Sequence, residues 1–174
     1  MKKEGMIKKD KEGIFNALEL AGYLNYLYKK TYKRNISPLK LQKSLFFLFG
    51  EWGAFISKAS SNNAGDGKDL AKYKKYLFTE NIEAWLYGPV VREVYDEFNN
   101  DIVEEEKILN TEEREYAGQF IRDLTSELFE LSDFKLVELT HQMSCWQDNF
   151  EEKESFHCNI INKDDIINEF LLQI

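Results

Sequence analysis

The stretch Ser37-Pro38-Leu39-Lys40-Leu41-Gln42-Lys43-Ser44-Leu45-Phe46-Phe47-Leu48-Phe49-Gly50-Glu51-Trp52-Gly53-Ala54-Phe55 decides the fold. Ser37 is a good N-cap and Pro38 suits the first helical position, where its missing N–H costs nothing. The body from Leu39 to Phe55 is apolar almost all round, and a helix of that kind is buried at the centre of a fold. We therefore expect a mainly α protein with about six helices around this central one.

The flanks supply the other helices. Between Asn16 and Lys33 the residues Ala17, Leu20, Ala21, Leu24, Leu27 and Tyr28 recur at helical spacing. That helix ends in Lys29, Lys30, Lys33 and Arg34, a run explained by the helix dipole and solvation. Pro89 is placed at the start of a helix whose buried face carries Val91, Val94, Tyr95 and Phe98. Thr111 caps a long helix with Glu112 and Glu113 in its first turn, and Ser132 or Asp133 caps the next. Asn162, with Asp165 three residues on, opens the last. Weak alternation over residues 77–87 (Phe78, Ile82, Ala84, Leu86) points to a small β element there. Residues 57–69 read as a polar loop, and 101–107 as an acidic connection. Residues 1–12 read as a flexible leader and 13–174 as a single domain.

Composition narrows the function classes. Hydrophobic residues make up 43% of the chain, enough to build a core and exclude a disordered protein. The formal charge of -8 lacks the basic stripe that phosphate contacts require, which weighs against nucleic acid and favours a basic protein partner. Two cysteines, Cys145 and Cys158, make no disulfide framework, and no window reaches the roughly 20 apolar residues of a membrane span. A cytoplasmic protein is expected. A homo-oligomer stays open.

Catalytic signatures are missing: no phosphate-binding loop, no nucleophile elbow, no H-E-x-x-H and no C-x-x-C. No cofactor and no enzymatic activity are expected. His141 and Cys145, four apart, share a helix face, and His157 with Cys158 completes a nominal zinc set. Adjacent residues rarely both reach one tetrahedral centre, so a packed corner is the preferred reading. The acidic residues Glu104, Glu105, Glu106, Glu151 and Glu152 read as solvated surface and as candidate partner contacts.

Three segments in order resemble the Panacea domain family, the phage-associated SocA-like and GepA-like proteins. Ile36 to Phe47 (I-S-P-L-K-L-Q-K-S-L-F-F) is similar to the family's T-P-L-K-L-Q-K-L-L-Y-F. Ile82 to Val91 (I-E-A-W-L-Y-G-P-V-V) is close to its I-E-A-W-x-Y-G-P-V-V, and Leu139 to Trp146 (L-T-H-Q-M-S-C-W) is similar to its L-T-H-x-x-x-P-W. Cys145 stands where the family usually has Pro. The resemblance spans roughly residues 16–171. It implies an antitoxin-like protein that neutralises a partner toxin by direct binding, in a prophage or other mobile element. Two alternatives are a phage-encoded inhibitor of a host defence nuclease and an adaptor delivering a partner to an ATP-dependent protease. Lys40, Gln42, Lys43, Glu83, Trp85, Tyr87, Gly88, Pro89, Thr140, His141 and Trp146 carry the motifs. Shared across a family with changing partners, they are expected to be scaffold, with some of the polar ones in a buried network.

Overall fold

The computed structural model describes residues 12–61, 69–152 and 158–173. The expected leader, apart from Glu12, lies outside them, as do residues 62–68 of the expected polar loop, Glu154 and His157.

Helix α1 (Ala17–Tyr32) starts with a capping box, in which Asn16 accepts from the Leu18 and Glu19 amides and Glu19 reaches back to the Asn16 N–H. It stops at Lys33, which adopts the left-handed conformation and returns its N–H to the Lys29 carbonyl. Helix α2 (Pro38–Ser61) follows, with Ser37 accepting from the Lys40 N–H at 3.2 Å and donating to Asp133 at 2.6 Å. The helix runs on to Ser61, through residues expected in the loop, with Ser57, Ser60 and Ser61 returning their hydroxyls to carbonyls one turn back.

After a 3-10 turn at Leu70–Lys72, strands β1 (Ile82–Trp85) and β2 (Gly88–Val91) form a hairpin whose turn is Leu86-Tyr87. Trp85 pairs with Gly88 and Ile82 with Val91. The chain continues through α3 (Arg92–Glu97), α4 (Glu105–Ile108), α5 (Glu112–Leu128), α6 (Asp133–His141) and α7 (Ser144–Gln147). Strand β3 (Ile160–Ile161) then joins the other side of β1, in sheet order β2-β1-β3, and α8 (Lys163–Leu171) closes the fold.

Eight α-helices are present among the described residues, against about six expected. The two additions, α4 and α7, are four-residue turns, too short to show a periodicity. Pro89 does not open a helix; it lies inside β2, an edge strand, where a residue without an N–H is tolerated. The β element accordingly sits at 82–91, later than expected, while Leu77 and Phe78 are buried in backbone outside any strand. Asp101–Lys107 is not wholly a connection, since α4 begins within it.

The core is organised around α2. Its Leu45, Leu48, Phe49 and Trp52 are fully buried, and the helix packs on α8, β2, α6, α5 and α1. Its closest neighbour is α8: Phe170 lies directly over Gly50, and Ile167 over Gly53. Trp52 meets Tyr116 and Phe120 of α5 edge-on, ring centroids 6.2 and 5.4 Å away.

Candidate functional site

The hairpin tip is held by its backbone from two sides. Strand β2 is at the edge of the sheet, so the outward backbone groups of alternate residues lack a strand partner. Helix α2 takes them. Lys43 Nζ donates to the Pro89 carbonyl at 2.7 Å. Gln42 clasps Val91 at two points, accepting from its N–H at 2.8 Å and donating to its carbonyl at 3.2 Å. On the far side, His141 Nε2 lies 3.0 Å from the Leu86 carbonyl, a contact that places the ring proton on Nε2. Trp146 Nε1 donates to the Trp85 carbonyl at 2.9 Å. His141 stacks on Trp146 at 4.1 Å, and Trp146 on Phe150 at 4.7 Å. Thr140, buried, gives its hydroxyl proton to the Val137 carbonyl and packs beneath Gly88.

Lys43 is fully buried, and burial alone pulls its amine from 10.5 down to about 7. Lys40, three residues earlier, serves a different joint. It donates to the carbonyls of Phe129 (2.8 Å) and Leu131 (2.6 Å) and lies over the Tyr28 ring, fixing the approach to α6. Glu83 takes a two-pronged bond from Arg92 (3.0 and 2.8 Å) and one from Trp85 Nε1 (2.7 Å). Arg92 in turn covers the Trp85 ring, and Tyr95 meets it edge-on at 4.8 Å.

Pinned in this way, the tip forms one wall of an open groove of about 520 Å³. Ile36, Pro38 and Leu39 also line it, together with Val94 and Tyr95 of α3 and Phe98 just after that helix. Its size falls within the roughly 300–1,000 Å³ of ligand clefts. Four large apolar residues of this groove stand out of the surface: Leu39 is 37% exposed, Leu86 57%, Tyr87 61% and Tyr95 61%.

Tyr95 is therefore not part of a buried helix face. Helical spacing locates a stripe but does not say whether another element covers it. Leu86 and Tyr87 likewise point outward, and their one sequence signal is their place in a two-residue turn.

The acidic candidates divide. Glu105 is occupied by Tyr23 Oη at 3.0 Å and Arg122 at 3.3 Å, whereas Glu104, Glu106 and Glu152 are exposed, as is Glu151. No group of three or more His, Cys, Asp or Glu among the described residues is placed to hold a metal. Cys145 is buried, and burial together with the Glu169 carboxylate pushes its thiol up, away from a reactive thiolate. No described helix is long and apolar enough to cross a membrane.

Residues 65–147 match the model of a family described as antitoxin SocA-like, Panacea domain. That span contains the hairpin, Thr140, His141 and Trp146, while Lys40, Gln42 and Lys43 lie before it. No curated protein and no solved structure matches the chain.

Proposed function

We propose, from the antitoxin SocA-like Panacea match over residues 65–147, that this chain is an antitoxin-like protein neutralising a partner protein by direct binding. The observation that carries the reading is the hairpin tip inside that span. Its backbone is tied at Trp85, Leu86, Pro89 and Val91, while Leu86 and Tyr87 face solvent. A tip ordered in advance loses little conformational entropy on meeting a partner, which is what a binding surface gains from preorganisation.

In this reading Lys40, Gln42, Lys43, Glu83, Thr140, His141 and Trp146 are scaffold within a single domain over residues 13–174, all but Lys40 supporting the tip. The protein works in the cytoplasm, encoded beside its target in a prophage or other mobile element. The test is co-expression with the toxic reading frame beside its gene. Restored growth and a stable purified complex are expected; continued toxicity with no complex overturns the reading.

The net charge of -8 favours one second reading, in which the chain blocks the basic channel of a defence nuclease. Its signature is loss of DNA binding by that nuclease, with no toxin gene required. An adaptor role differs from both, because the partner's half-life would fall in the chain's presence.

A further inference from the structure

We infer that the groove between Leu39, the hairpin tip and Tyr95 takes a basic, apolar-anchored segment of a partner protein, its apolar side chain inserting between Leu86 and Tyr95. The inference rests on the proposed binding role and names the surface and the chemistry.

Two independent features of the groove point to that occupant. The first is apolar. Its lining and its rim are dominated by large hydrophobic side chains, and the polar groups beneath it are already engaged, Lys43 by Pro89 and Gln42 by Val91. An inserted aliphatic or aromatic anchor therefore leaves these two side chains with the partners they already have. The wall it meets is rigid, because Glu83 holds both Trp85 and Arg92, and Tyr95 packs on the Trp85 ring.

The second is charge. From Glu93 to Glu106 the chain carries seven carboxylates and no basic residue. Helix α3 places Val94 and Tyr95 in the groove and leaves Asp96 and Glu97 exposed beside it; Asn100 lines the groove, and exposed Asp101 follows. An acidic flank of this kind attracts Lys and Arg on either side of the anchor and steers the encounter. It also argues against a second copy of this chain as occupant, since two surfaces of one acidic protein repel.

The test uses the full chain and three fluorescein-labelled peptides. One is a Lys/Arg-rich amphipathic sequence with Leu and Phe anchors; the second replaces its basic residues by Glu; the third replaces its anchors by Ser. Binding is read by anisotropy at low and high salt, with melting temperature as a control. Only the first peptide binds. Leu86→Ser weakens it about tenfold or more without changing the melt. Asp96→Lys with Glu97→Lys weakens it several-fold at low salt, and that loss fades at high salt. Phe134→Ala, at a site 87% exposed and outside the groove lining, leaves binding unchanged.

Equal binding of the acidic or anchorless peptide, or binding indifferent to both groove variants, overturns the assignment. A cognate partner that still binds both groove variants at full affinity also overturns it, while leaving the antitoxin reading intact. Absence of any neutralised partner defeats that reading instead, and the peptide series then decides the groove by itself.

Discussion

Lys43 Nζ donates to the Pro89 carbonyl across 2.7 Å, joining the second turn of the central helix to the edge strand of the hairpin. The amine is fully buried, and its Nζ and Cε stand close against Gly88. With the two bonds between Gln42 and Val91, it ties the first motif segment, Ile36–Phe47, to the second, Ile82–Val91.

Stability should rise with pH through this lysine. Its folded value of about 7 lies below the ordinary lysine value of 10.5, so between them the unfolded chain binds the proton and the folded chain does not. Stability due to this group is therefore fully present above about 10.5, lost as pH falls through 7, and flat below. Urea unfolding of the wild type and Lys43→Met from pH 6 to 10 checks this. The wild type should gain relative to Lys43→Met as pH rises, and a difference that stays level with pH contradicts it.

Gln42→Leu removes both bonds to Val91 and leaves a buried N–H and a buried carbonyl without that partner. The expected cost is about 2–6 kcal/mol, from roughly 1–3 kcal/mol for each of the two orphaned groups. Hydrogen exchange of the Val91 amide should accelerate well before global unfolding, with amides in the centre of α2 less affected.

Gly88→Ala strains the hairpin in two ways. Gly88 sits at φ +101°, a conformation that L residues rarely adopt, and a Cβ there would meet Thr140 Oγ1 at 2.5 Å. A loss of about 2–4 kcal/mol is expected from backbone strain and overpacking together. Adding Thr140→Ala should recover only part of it, because the φ angle is untouched. Full recovery in thermal melts would assign the whole cost to crowding.

Gly50→Ala tests the contact between α2 and α8. In an isolated helix the change gains about 1 kcal/mol. Here the new methyl would overlap the Phe170 ring, whose own neighbours are Phe46 and Phe47. Net destabilisation of about 1–2 kcal/mol is expected. Pairing it with Phe170→Leu should lower the cost relative to the sum of the two single changes, measured as a double-mutant cycle.

Some of this was legible beforehand and some was not. The helix from Pro38 was plain because capping chemistry and apolar residues on every face agree, and α1, α5 and the start of α8 carry their own N-caps. Pro89 misled because proline suits both the first turn of a helix and an edge strand. Which applied depended on Lys43 and Gln42, more than forty residues earlier, taking the backbone groups of the edge. Tyr95 misled for a related reason: its helical spacing matches Val94 and Phe98, yet beyond its edge-on contact with Trp85 it stays 61% exposed.

The sequence by itself determined the mainly helical fold and the central place of α2. Those follow from local rules, capping and periodicity, that need no knowledge of distant contacts. Only the tertiary structure decided how the segments divide the work. Lys40 and Lys43, one turn apart on a single helix, serve the α5–α6 joint and the hairpin edge respectively. Trp85 is held by Glu83, Arg92 and Tyr95, whereas Leu86 and Tyr87 beside it stand in solvent. Whether an apolar side chain is core or contact surface depends on what other elements bring over it. That is set by packing between parts of the chain far apart in sequence.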